Sequence, residues 1–158
     1  MSQIEIIDNY LPEDVFNTFQ QQILSKDFTW SYRDYIVDDY NLFQFIHGFP
    51  GNAPDLHIIK PLIYKIRPRG VIRCKVNLRP KSHQHQQSPY HLDQSKNTNH
   101  KIAIYYINTN NGYTIFEHNK QQVQSIANRI LFFDGHLKHA GVSSTDTKCR
   151  VVLNLNYY

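Results

Sequence analysis

The stretch Val71-Ile72-Arg73-Cys74-Lys75-Val76-Asn77-Leu78-Arg79 changes the hydrophobic period of the chain to two. That is the period of a β-strand, so Ile72, Cys74, Val76 and Leu78 share one face and Arg73, Lys75, Asn77 and Arg79 the other. Polar side chains along one whole face of a strand point to solvent or into a polar cavity. Downstream, short runs of the same kind recur: Ile102 to Ile107, Tyr113 to Phe116, Val123 to Ile126, Ile130 to Phe133, Leu137 to Val142 and Arg150 to Tyr157. Turn residues separate them, at Asn108 to Gly112, Ala127-Asn128, Asp134-Gly135 and Ser143 to Lys148. At least seven short strands at intervals of about ten residues argue for a mainly β fold, a sandwich or jelly roll rather than a parallel α/β sheet.

Upstream the pattern is mixed. Ile4, Ile6 and Ile7 suggest an opening strand, and Pro12 with Glu13 and Asp14 marks a helix start. Val15, Phe16, Phe19, Ile23 and Leu24 then recur at helical spacing. Residues 28 to 47 read as two strands around an acidic turn at Asp38-Asp39, since Phe28, Trp30 and Tyr32 alternate and so do Leu42 or Phe43 with Phe45, and this aromatic stripe is expected in the core. After Pro50 to Pro54, Asp55 opens a helix with apolar face Leu56, Ile59, Leu62, Ile63 and Ile66, and Pro61 imposes a kink or a late start. No repeat or linker divides the 158 residues, which predicts one domain, 1–158: a supporting part to about residue 70 and a jelly-roll core over about 71–158.

Composition limits the function classes. With 41% hydrophobic and 19% charged residues the chain is globular rather than disordered. Nine acids stand against two bases up to Asp55, and fifteen bases against four acids after it. The basic part would steer a small dicarboxylate, another acidic substrate or nucleic acid. Cys74 and Cys149 have no Cys-x-x-Cys spacing and lie in apolar runs, as small buried hydrophobes that neighbouring strands could bring together. The start Met1-Ser2-Gln3-Ile4-Glu5 lacks a basic region followed by an apolar one, and no run approaches membrane-spanning length. A soluble, cytoplasmic protein with no membrane association is the expectation.

The chemistry is carried by Tyr90-His91-Leu92-Asp93. His-x-Asp on a strand puts an imidazole and a carboxylate on one face, where they can grip one metal ion, while Tyr90 and Leu92 face away into packing. Roughly half a His-x-Asp is expected by chance in a chain of this composition, so support must come from elsewhere. The third ligand is His139, preferred to His136, which sits in the turn after Asp134-Gly135. His83 and His85 lie in the loop Pro80 to Pro89, where nothing orients them, and read as solvated. Two histidines and one carboxylate leave half of an octahedral shell open, as in non-haem Fe(II) oxygenases, whereas a structural zinc closes its shell. Arg150 shares a strand face with Val152, Asn154 and Asn156, a setting suited to gripping a carboxylate in a polar cavity; the alternative is an ion pair with Asp134 or Asp146.

His91-x-Asp93, His139 and Arg150, in that order on a strand-rich chain, resemble the 2-oxoglutarate- and Fe(II)-dependent dioxygenases, in particular the prolyl 4-hydroxylase-like branch. Ile104 to Asn108 followed by Gly112 to Phe116, and Ile130 to Phe133, are similar to that branch's strands between the metal motifs. The resemblance runs from about Val71 to the C-terminus. It implies a double-stranded β-helix (jelly roll) with flanking N-terminal helices. It also implies Fe(II) held by His91, Asp93 and His139, and 2-oxoglutarate on the metal with its 5-carboxylate on Arg150. Tyr106 falls where a tyrosine of the branch contacts that carboxylate. Asn154 joins the expected co-substrate contacts, and Asn77 lies on a strand where the branch often has a tyrosine. The implied reaction consumes molecular oxygen, hydroxylates a C–H bond and converts 2-oxoglutarate to succinate. The substrate implied is a protein or peptide, with a prolyl side chain as the example, ahead of a small molecule and of nucleic acid. Arg33 to Asn41 and Pro80 to Pro89 are the candidate substrate loops. Two rivals stand beside this reading. One is a nucleic-acid base demethylase of the related branch, which typically has an arginine where Asn156 stands; the other is a non-catalytic jelly-roll binding module.

Overall fold

A computed structural model describes residues 4–94 and 99–158. Met1 to Gln3, and positions 95–98 of the polar loop after Asp93, lie outside the described residues. Among the described residues ten strands form two antiparallel sheets. The larger contains β1 (Ile4–Ile7), β2 (Ser31–Arg33), β3 (Gln44–Gly48), β4 (Val71–Pro80), β5 (Lys101–Tyr106), β8 (Ile130–Asp134) and β10 (Cys149–Tyr157), in the order β1-β8-β5-β10-β4-β3-β2. The smaller contains β6 (Tyr113–Phe116), β7 (Gln122–Gln124) and β9 (His139–Val142), in the order β7-β6-β9. The supporting N-terminal part thus contributes three strands to the large sheet.

The two faces of that sheet meet different partners, which explains its strict alternation. Its outer face carries Cys74, Val76, Tyr105, Val151, Leu153 and Leu155, covered by Phe16, Phe19 and Ile23 of α1 (Glu13–Ile23) and Leu62 of α2 (Lys60–Ile66). Its inner face carries Ile102, Ile104, Tyr106, Leu131, Phe133 and Val152, closed by Phe116 and Val123 from the small sheet. One polar lock ties the N-terminal segment to this frame. Asn128 takes a left-handed φ of 65°, which an asparagine tolerates. Its side-chain Oδ1 accepts from the Leu11 N–H at 2.9 Å and the Tyr105 hydroxyl at 2.5 Å, and its side-chain Nδ2 donates to the Leu11 carbonyl at 2.9 Å.

Several local expectations meet their physical reasons here. Pro61 sits in the first turn of α2, behind a short 3-10 turn at Leu56–Ile58, so the helix begins late. Leu24 is exposed just past α1. The aromatic stripe divides: Phe28 and Trp30 pack on the outer core, but Tyr32 is 58% exposed and Phe43 46%. β2 ends the sheet beyond the reach of the helices, so its outward ring meets only Phe43 and Phe45. Cys149 pairs with Pro80 and Cys74 with Leu155, at opposite ends of the β4–β10 ladder, and both remain thiols. Among the described residues no helix is long and apolar enough to cross a membrane.

Candidate active site

His91 and His139 are brought together by the backbone. A single antiparallel bridge joins them, the His91 N–H donating to the His139 carbonyl at 3.0 Å and the His139 N–H to the His91 carbonyl at 3.2 Å. Their rings lie 4.7 Å apart between centroids. The segment before the bridge is pinned along β9 in the same way, Ser88 N–H donating to Gly141 and Ser143 N–H to Gln86. The loop from Pro80 to Pro89 therefore extends the edge of the small sheet, and of its residues only Ser88 lines the cavity described below. Because pairing stops at this one bridge, the strand alternation expected for 90–93 fails at Leu92. Tyr90 packs on Ile115, Ala140 and Val142, whereas Leu92 lines the cavity instead of facing away.

Ligand atoms of His91, Asp93 and His139 all lie within 4.8 Å of one another. Each imidazole is oriented by the carbonyl two residues earlier: His91 Nδ1 lies 3.1 Å from the Pro89 oxygen and His139 Nδ1 3.2 Å from the Leu137 oxygen. A carbonyl can only accept, so Nδ1 carries the proton in both rings and Nε2 presents its lone pair to the cluster. His139 is buried, which lowers its pKa to about 4 despite the neighbouring Asp93 carboxylate, and it is neutral at neutral pH. Burial alone would raise the Asp93 pKa. Its contacts with His91, His139 and Arg73 overcome this and hold it below the ordinary carboxylate range. Two imidazoles and one carboxylate converging from one side fit Fe(II), with the other side left to the cavity. His136 and His83 are exposed, and His85 is turned onto the Ser143 carbonyl at 2.7 Å.

The Asp93 carboxylate is held from β10. Asn154 donates to Oδ2 at 2.8 Å and Asn156 at 3.2 Å, while Arg73 lies 3.4 Å from Oδ1. Asn154 lines the cavity, yet its amide is committed to Asp93 and not to a co-substrate. Partners that orient a metal-binding carboxylate typically matter 10- to 100-fold for metal affinity. Asn154→Ala is therefore expected to weaken Fe(II) binding by about tenfold or more in an anaerobic titration.

A cavity of about 340 Å³ runs from this cluster along the inner face of β10 and β4. Cross-strand register sets its floor: Arg150 lies opposite Arg79, Val152 opposite Asn77, Asn154 opposite Lys75 and Asn156 opposite Arg73. Arg150 is 4% exposed and donates through Nε to Ser125 at 2.9 Å and through Nη2 to Thr114 at 3.1 Å. Among the described residues no carboxylate pairs with it: Asp134 instead meets Lys101, and Asp146 accepts from the Asn111 N–H. Arg150 sits roughly 13 Å along the strand from Asn154 at about 3.3 Å per residue, at the opposite end from the metal-type cluster. Asn77 lines the cavity between the two ends, with its carbonyl oxygen buried and unpartnered. Tyr106 does not reach the cavity. It is fully buried, its hydroxyl donates to Thr114 at 2.8 Å and its ring lies 5.7 Å from the Arg150 guanidinium carbon, so it acts on the cavity through those two groups.

Arg79, which the strand pattern places on the polar face of β4 without assigning it a role, is buried and donates to the Gly141 carbonyl at 2.9 Å, and its pKa is lowered to about 10 by burial and by the Arg150 charge. The available signal was its place on the polar face of β4, at the step where that strand pairs with Arg150. From the other side Arg33, Tyr35, Ile36 and Val37 reach the cavity, so the 33–41 segment does border the site. Val37 has φ 59°, a conformation a β-branched residue rarely adopts, at the tip where Ile36 and Asp39 bridge.

No protein-family model matches the sequence, and no curated protein is similar to it at a significant level. Solved structures do match. A prolyl hydroxylase from Trichoplax adhaerens, in complex with a hypoxia inducible factor oxygen degradation domain peptide fragment, is 17% identical with TM-score 0.76, covering 98% of this chain and 83% of that chain. A prolyl-4-hydroxylase from Pseudomonas putida is 13% identical with TM-score 0.68, over 99% and 92%. The non-heme alpha ketoglutarate dependent epimerase SnoN from nogalamycin biosynthesis is 10% identical with TM-score 0.75, over 99% and 78%. The chain therefore has the jelly-roll fold of the 2-oxoglutarate and non-heme iron oxygenases, in its prolyl hydroxylase-like form.

Proposed function

We propose that this chain, built on the prolyl hydroxylase-like fold, is a 2-oxoglutarate- and Fe(II)-dependent dioxygenase that hydroxylates a C–H bond. The balance is one C–H bond, one 2-oxoglutarate and one O2 giving one C–OH, one succinate and one CO2. The observation that carries this reading is the pairing of a His91, Asp93 and His139 cluster with a buried, carboxylate-free Arg150 at the two ends of one cavity. Bound iron and 2-oxoglutarate would supply the oxygen activation.

The chain's own residues do the rest. His91 and His139 offer Nε2 because their Nδ1 protons are committed to backbone carbonyls. Asn154, Asn156 and Arg73 keep Asp93 ionised and aimed. Arg150, braced by Ser125 and Thr114, offers a charge-assisted grip for the 5-carboxylate, and Asn77 and Arg79 flank the same diacid. Phe116, Phe133 and Val152 pack beneath this polar floor and exclude water from behind it.

The substrate we favour is a protein or peptide side chain, prolyl as the first candidate. The likeness to prolyl hydroxylases supports it, as does the position of the edge strand β2 at the cavity mouth, where a peptide backbone could lie alongside. Purified protein given Fe(II), oxygen and 2-oxoglutarate should release succinate, slowly without a prime substrate. Absence of both turnover and anaerobic 2-oxoglutarate binding would remove the enzyme reading.

A further inference from the structure

The cavity holds far more positive charge than the proposed reaction needs. Five cations line it, Arg33, Arg73, Lys75, Arg79 and Arg150, against one carboxylate, Asp93. A divalent metal and a dicarboxylate co-substrate cancel each other, so they leave this imbalance untouched. Arg150 is the one of the five suited to the co-substrate, Arg79 is committed to Gly141 and Arg73 leans on Asp93. The side chains of Lys75 and Arg33 make no hydrogen bond or ion pair among the described residues.

Their position is not that of ordinary surface charges. Lys75 is half-buried on β4, flanked across the sheet by Asn154 on one side and Gly48 on the other. Gly48 presents no side chain, and a Cβ added there would meet nothing within 4 Å, so the strand leaves open space at the position across the sheet from Lys75. Burial and the charges of Arg73 and Arg33 all disfavour protonated Lys75, with only Asp93 opposing them. Arg73 also keeps its Nε buried without a partner. Like charges converging on one open volume, with donors left unused, cost stability unless an anion enters.

We infer that the substrate carries an anionic carboxylate beside the C–H bond to be oxidised, received by Lys75 with Arg33 and Arg73. This rests on the dioxygenase reading above and names the substrate class of the same cavity. In a peptide the anion is an aspartate or glutamate next to the oxidised residue; in a small molecule it is the compound's own carboxylate.

Matched probes separate these cases by binding, independently of turnover. Calorimetry is run anaerobically on protein holding Fe(II) and saturating 2-oxoglutarate. The probes are acetyl-Gly-Pro-Asp-Gly-amide and acetyl-Gly-Asp-Pro-Gly-amide with their Asn counterparts, and N-acetyl-L-proline with N-acetyl-L-prolinamide. An acid binding about tenfold or more tightly than its amide at low salt supports the proposal, and the pair that discriminates identifies the source as peptide or small molecule. In Lys75→Gln/Arg33→Gln the preference should fall to about threefold or less. Acid and amide probes that do not differ, including failure of all to bind, overturn the anion site, as does a preference that survives in the double variant. The 2-oxoglutarate affinity is measured on the same samples. If 2-oxoglutarate itself does not bind, the dioxygenase reading falls; if it binds and the pairs are equal, only this inference does.

Discussion

Substituting His91 or Asp93 by alanine is expected to abolish succinate formation and to weaken Fe(II) binding by more than about 100-fold, beyond what losing an orienting partner alone would do. Both side chains supply ligand atoms to a three-residue cluster whose members lie within 4.8 Å, and two remaining ligands hold a divalent ion poorly. The two variants should differ in stability. Asp93→Ala removes the acceptor of Asn154 and Asn156 and the counter-charge of Arg73, leaving buried donors unpaired at about 1–3 kcal/mol. His91→Ala leaves Asp93 with those three partners, and its backbone bridge to His139 does not depend on the imidazole. Anaerobic Fe(II) titration with urea unfolding of the metal-free proteins reads both effects. Turnover surviving in either variant would sink the metal assignment.

Arg150→Ala is the second large effect, and it should separate co-substrate from metal. The guanidinium is buried, fixed by Ser125 and Thr114, and lies at the far end of β10 from the residues that hold Asp93. Losing a desolvated charge-assisted pair with a carboxylate costs about 2–5 kcal/mol. 2-Oxoglutarate affinity should therefore fall by at least about 30-fold, while Fe(II) affinity stays within about threefold. Equal loss of both would mean that Arg150 supports the frame rather than the co-substrate. Arg79 lies across the ladder from it and is not a substitute, because its own bond to the Gly141 carbonyl aims it at β9.

How much of the site could be read in advance follows from what strand periodicity encodes. The alternation in β4 and β10 sorts each residue to one of two faces, so Arg73, Lys75, Asn77 and Arg79 form one row, and Arg150, Val152, Asn154 and Asn156 another. The order His91, Asp93, His139 and Arg150 on a strand-rich chain carried the family resemblance, and the solved structures share that fold. The loop 80–89 was less legible. It has the composition of a free loop, but its backbone pairs with the β9 edge, and such hydrogen bonds leave no trace in side-chain pattern. Leu92 departs from the expected orientation because alternation needs a continuing ladder, and here pairing ends at the His91–His139 bridge. Tyr32 departs from the expected burial because burial of an aromatic stripe depends on what covers it, and the helices stop short of the edge strand.

By itself the sequence determined which residues share a strand face, that the fold is mainly β, and which four side chains, His91, Asp93, His139 and Arg150, carry the resemblance to iron and co-substrate chemistry. Tertiary structure alone decided that the two polar rows face each other's partners inside a cavity. It set the register that puts Lys75 beside Asn154 and Arg79 beside Arg150, and it gave Asn154 and Asn156 to Asp93. The physical reason is separation along the chain. Alternation is local, whereas β4 and β10 meet across some seventy intervening residues, and which face receives helices or a second sheet depends on the whole set of apolar surfaces buried together.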